Sequence, residues 1–165
     1  MRRLLLVSVL LPVLALVPSA GAGSSQERKL TFEVMSFVRI AQPFDIKPKG
    51  KENRGDYIKL RSLLVSIGPI FNVSKKNVAV GWDNSTLVYL NEKGKARLRG
   101  KAVLRNQGTI TYRGVMKDLP GGKSSVPIVD GSGKFRGAKG VLIIGPGQLK
   151  AKNTFQLRLP GAITA

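Results

Sequence analysis

Tyr112, Asp83, Asp56, Tyr57 and Tyr89 are the side chains of this sequence best suited to chemistry inside a folded domain, because stronger groups are missing. The 165 residues contain no His and no Cys. That removes the usual acid–base group at neutral pH, the commonest zinc ligands and every thiol nucleophile. Acid–base work must fall to carboxylates, Tyr, Lys, Ser or Arg, and neither a metal nor another cofactor is expected. Tyr112 leads the five because strand alternation turns it inward with Gly100 and Gly114, leaving space beside its hydroxyl. The plainer alternative is a Tyr that fills the core and bonds to backbone.

Three other constellations carry chemistry on paper. Glu33, Asp56 and Asp83 could supply a carboxylate pair for glycoside hydrolysis, although nothing in their spacing requires them to converge. Gly131-Ser132-Gly133-Lys134 has the look of a phosphate loop, but the full pattern needs Gly at 128 and Ser or Thr at 135, where Ile128 and Phe135 stand. A structural turn with Phe135 plugging the core fits better. Asp130, Arg136 and Lys139 form either a charged cluster at a barrel mouth or, more simply, an ion pair pinning that turn. Arg54-Gly55-Asp56 is a three-letter match that arises by chance, and Asn72-Val73-Ser74 and Asn84-Ser85-Thr86 are glycosylation sequons only in a eukaryotic host.

Charge adds a second theme. Lys and Arg number 28 against 9 acids. A field of that size favours anionic partners such as acidic glycans, cell-wall polymers or other polyanions. Arg97, Arg99, Lys101, Arg105, Arg113 and Lys117 share one face of two adjacent strands with no acid among them. Their mutual repulsion is relieved by counterions, on a plain solvated face, or by a bound polyanion. Nucleic acid is not expected as the native partner of an exported chain.

The elements that must position these residues are strands. From Leu30 onward apolar and polar residues alternate with period two, broken by turn residues, and no window supports a long amphipathic helix. Leu30 to Ile40 and Asp56 to Ile67 read as strands, with a basic loop from Pro43 to Arg54 between them. Val78 to Trp82 and Thr86 to Leu90 follow, separated by the turn formers Asp83-Asn84-Ser85. A hairpin runs from Lys95 to Lys117, turning near Asn106-Gln107-Gly108, with Leu98, Gly100, Ala102 and Leu104 on one face. Small residues at Gly100, Ala102 and Gly114 suit a curved sheet or a narrow lumen. Ser125 to Val129, Gly140 to Ile144 and Asn153 to Leu159 complete eight or nine short strands, which points to a barrel or sandwich.

The segment from Val129 to Gly140, with Asp130, Gly131, Gly133, Phe135, Arg136 and Lys139, resembles the signature turn of dirigent proteins and the related allene oxide cyclase barrels. Gly81-Trp82-Asp83-Asn84-Ser85-Thr86, Gly100-Lys101-Ala102 and Gly108 to Gly114 resemble the segments that precede that turn, in the same order, and Gly55-Asp56 fits the approach to the second strand. The resemblance covers roughly residues 30–159. It implies a single antiparallel eight-stranded barrel of calycin-like shape with an apolar cavity at one mouth. It also implies binding of a small apolar or phenolic ligand whose reaction is steered by positioning. The chain departs from the signature at Asp130, Ser132 and Lys139, the last replacing a planar guanidinium fork by a point charge. Cyclases of this kind use a Glu and a Cys, so their chemistry is not expected of a chain without Cys.

The first residues read as an export signal. Arg2 and Arg3 precede an apolar run from Leu4 to Val17, and Ala20-Gly21-Ala22 offers a cleavage site. The run is too short to span a membrane and contains Pro12. The expected organisation is a signal peptide over 1–22, a polar leader over 23–29 and a β-barrel domain over 30–165. The protein is expected outside the cell, without disulfides, and oligomerisation is left open. The leading functional reading is a ligand-binding barrel. A cationic polyanion-binding protein and a carboxylate hydrolase are its rivals.

Overall fold

Alternation over eight segments produces eight strands with one face each turned to a shared interior. The computed structural model describes residues 26–44, 57–68, 70, 76–90, 95–116, 122–147 and 149–161. The expected signal peptide, Asp56, Lys117, the Arg-Gly-Asp tripeptide and the sequon pattern at Asn72 lie outside the described residues. The strands are β1 (Arg28–Phe44), β2 (Tyr57–Ser66), β3 (Ala79–Tyr89), β4 (Ala96–Leu104), β5 (Gly108–Met116), β6 (Ser124–Gly133), β7 (Lys139–Ile144) and β8 (Lys150–Leu159). Each pairs antiparallel with its sequence neighbour, and β1 pairs with β8 from Arg28↔Leu159 to Phe37↔Lys150, so the barrel is closed. Irregularities at Val38/Ile40 in β1, opposite Leu64/Val65 in β3 and opposite Thr111/Tyr112 in β6 add the local twist that closure needs.

The strands are longer than sequence signals indicate. β1 begins at Arg28, inside the anticipated leader, and continues through Pro43 and Phe44 into the anticipated loop. The break expected at Asp83-Asn84-Ser85 does not occur: β3 runs unbroken from Ala79 to Tyr89. Ladders on both sides, Ser62↔Asp83↔Ala102 and Leu60↔Ser85↔Gly100, satisfy the backbone and override the turn preference of these residues. The hairpin of β4 and β5 follows its alternation closely. Leu98, Ala102 and Leu104 are buried while Arg97, Arg99, Lys101, Val103 and Arg105 are exposed.

The interior divides into a filled half and a hollow half. Phe32 stacks on Phe155, with centroids 4.9 Å apart, and Phe135 sits 6.3 Å from Phe32. Leu104, Ile110, Leu157 and Leu159 pack around this cluster at 2% exposure or less. Each such side chain contributes about 1.5–3 kcal/mol by leaving water. Phe135 reaches the interior from the turn after β6. Bonds from Phe135 N to Ser132 O and from Arg136 N to Gly133 O shape that turn. The opposite end, towards Tyr89, Met116 and Ile144, is hollow.

Candidate functional site

The hollow half holds a cavity of about 150 Å³ whose base is polar and whose walls are apolar. Two adjacent cross-strand rows build the base. One runs Ser62, Asp83, Ala102, Ile110 over β2 to β5, and the other Leu60, Ser85, Gly100, Tyr112. Tyr112 and Asp83 lie on β5 and β3, with β4 between them, yet the Tyr112 hydroxyl donates to Asp83 Oδ2 at 2.7 Å. The reach is possible because the intervening residue is Gly100. A Cβ placed there would stand 2.2 Å from the Tyr112 oxygen and 2.3 Å from its Cζ, so the phenol ring lies where a side chain would be. Leu60, Leu87, Leu98, Met116 and Ile144 form the walls above, with Tyr89 at the rim.

Asp83 is 7% exposed and its other oxygen, Oδ1, is buried without a hydrogen-bond partner. Asn153 Oδ1, also lining the cavity, is buried and unpartnered. Two unpartnered acceptors on residues that line one hollow leave hydrogen-bonding capacity for a donor from outside the chain. Burial pushes the Asp83 carboxyl up to about 6, although the hydroxyls of Tyr112 and Ser85 pull it down. Burial likewise lifts the Tyr112 phenol well above its ordinary value, with Asp83 adding to the rise. Asp83 therefore changes charge close to neutral pH, inside a pocket.

That shift has a stability consequence of definite sign. The folded state holds the Asp83 proton more tightly than the unfolded chain, where the carboxyl titrates near 3.8. The Asp83 contribution to stability is accordingly greatest below about pH 4 and declines as pH rises to about 6, by on the order of 3 kcal/mol. Urea denaturation between these values should show the decline, and Asp83→Asn should flatten it. An unchanged slope in the variant would place the titration elsewhere.

The other sequence candidates are placed as follows. Tyr89 lines the cavity and Tyr57 opens β2 opposite Val88, while Asp56 is outside the described residues. Glu33 and Asp83 do not converge. Glu33 lies on the outer face, where Lys152 Nζ approaches to 2.8 Å and Thr154 donates at 3.2 Å, and Lys152 chiefly holds its carboxyl below the ordinary range. The barrel wall separates the two carboxylates, so the hydrolase pair is not formed by them. In the signature turn Asp130 and Arg136 are exposed, and no ion pair joins Asp130 to Arg136 or Lys139 among the described residues. Lys139 donates instead to the Val129 carbonyl, and backbone bonds hold the turn. Phe135 is fully buried; Gly131, Gly133 and Gly140 approach neighbouring backbone too closely for a Cβ. Ser36, Ser62, Ser85 and Asn153, absent from the sequence candidates, line the cavity. Their signal was a polar residue at an inward position of an alternating strand.

No family model matches the chain, and no curated protein sequence does. Solved structures do. A pyocyanin demethylase superposes with a TM-score of 0.61 at 17% identity, over 78% of this chain and 99% of that one. Two pterocarpan synthase dirigent proteins superpose with TM-scores of 0.57 and 0.59 at 14% and 13% identity. They match over 84% and 85% of this chain, and 98% and 90% of theirs. The chain thus has a dirigent-like barrel fold.

Proposed function

We propose that the lumen binds one small apolar or phenolic molecule and steers its reaction by positioning it against Asp83. The carrying observation is Asp83 Oδ1, a buried acceptor without a donor at the base of an apolar hollow. A dry cavity of about 150 Å³ suffices for a benzene-sized ring, so one aromatic ring fits at depth with its substituents towards the rim. A phenol hydroxyl on that ring donates to Asp83 Oδ1, while Tyr112 holds the carboxylate in place. Ionised Asp83 accepts; protonated Asp83 can donate to a carbonyl or ether oxygen at the same spot. Constraint of geometry is the main catalytic resource here. The structural neighbours support the reading through their shared barrel. Action outside the cell belongs to the same proposal and is supported by Arg2, Arg3 and the apolar run after them.

The test is fluorescence titration of the mature chain with 2-naphthol. Wild type should bind saturably, and Asp83→Asn should weaken binding about tenfold at neutral pH, the loss of one charge-assisted hydrogen bond. Ala151→Phe, which puts a ring into the cavity wall, should abolish binding while the circular dichroism spectrum stays that of a barrel. Unaltered affinity in Ala151→Phe would overturn the lumen as the site.

A further inference from the structure

The outer wall carries a second surface, which shares Leu60, Ser85 and Tyr112 with the lining of the lumen and presents its cations outward. Register aligns two neighbouring outward rows across it: Lys59, Thr86, Arg99 and Arg113 in one, and Arg61, Asn84, Lys101 and Thr111 in the other. Arg99 faces Arg113 directly, a like-charge pair that costs stability in an isolated sheet. No carboxylate pairs with Arg99, Lys101 or Arg113 among the described residues. The surface here is not flat. A groove of about 470 Å³ over β3 to β6 meets one of about 290 Å³ over β1 to β3, and the two share Asn84 and Thr86. Together they make a continuous trough, whose stretch from β2 to β6 is roughly 19 Å at about 4.8 Å per strand gap.

The trough has a definite chemistry. Its short neutral residues, Asn84, Thr86 and Thr111, stand within the same two rows as the cations, and Asp130 ends the second row beyond Thr111 on β6. Guanidinium forks at Arg99 and Arg113 suit planar carboxylates, and amide and hydroxyl groups between them suit sugar hydroxyls. Trp82, next to the trough, is half-buried with Arg61 over its ring at 4.7 Å, so its face is already covered. Of the residues lining the two grooves only Tyr112 is aromatic, and its ring is buried beneath Gly100, so it offers no open face for stacking bases. We infer that the trough over β2 to β6 binds a linear uronate-containing polysaccharide, laid across the strands with carboxylates on Arg99, Lys101 and Arg113.

The experiment measures binding of an oligogalacturonate to the mature chain at about 0.15 M NaCl. The triple variant Arg99→Gln, Lys101→Gln, Arg113→Gln is compared with Lys134→Gln, Arg136→Gln, Arg158→Gln, which removes equal charge from exposed positions near the filled end. The trough triple should raise Kd at least about tenfold and reduce its salt dependence. The control triple should stay within about twofold. Asn84→Ala with Thr111→Val, which keeps every charge, should weaken the oligogalacturonate about fivefold and leave inorganic polyphosphate unaffected. Equal losses in both triples would mean diffuse electrostatics and overturn the site. Tighter binding of an oligothymidylate through the same three cations would overturn the glycan assignment. 2-Naphthol binding should be unchanged in all three variants, which separates failure of this surface from failure of the lumen.

Discussion

Phe135→Ala is expected to lower the unfolding free energy by about 3–5 kcal/mol, a large share of the stability of a domain this size. The residue is fully buried although it belongs to a turn, and its ring closes the filled end of the barrel against Phe32. Removal takes away the transfer free energy of the ring and leaves a void that the neighbours cannot easily fill. Phe32 is stacked on Phe155, and both are anchored in paired strands β1 and β8. Urea denaturation read by Trp82 fluorescence and by circular dichroism measures the change. A loss below about 1 kcal/mol would mean that the end collapses around the gap, and the turn is not a plug.

Gly100→Ala is expected to disable the lumen at least tenfold in ligand affinity while the barrel still forms. The added methyl would overlap the Tyr112 hydroxyl and Cζ, atoms it would meet at 2.2 and 2.3 Å. The buried ring has to swing away from β4, and its bond to Asp83 breaks. Asp83 then loses a hydrogen bond that favours its ionised form, so its carboxyl titrates higher still. Two readings check this: the 2-naphthol titration, and carbon-13 chemical shifts of the Asp83 carboxyl against pH. Retention of both at wild-type values would show that the Tyr112–Asp83 contact does not depend on the missing side chain. Tyr112→Phe should reproduce the carboxyl shift without the steric change, which separates the two causes.

How much of this was legible in the residues follows from what alternation can and cannot encode. The Arg97 to Arg105 strand announced its faces because Leu98, Ala102 and Leu104 interleave with cations, and period two admits only one reading of such a string. Asp83-Asn84-Ser85 misled for the converse reason. These residues favour turns when exposed, but here Asp83 and Ser85 occupy inward positions whose neighbours on β2 and β4 supply every ladder partner. Tyr112 and Asp83 were both named from sequence as lumen candidates, yet their contact was not, since it spans three strands and rests on the lack of a side chain between them. Ser36, Ser62 and Asn153 escaped because a single polar residue in an apolar strand looks like tolerance until a cavity is seen beside it.

The pairing of β1 with β8 sets an order of events. Thr154 donates to Glu33 across 121 positions of chain, and every rung of that seam joins the first strand to the last. Seven strands can zip as successive hairpins, each closing a connection of at most 12 residues, but the final rung must wait until residues 150–159 exist and have found residues 28–37. Until then the sheet has two raw margins, each a row of unsatisfied amides and carbonyls able to capture a stray strand. Synthesis of the barrel is therefore a race between self-closure and aggregation, decided by its last ten residues.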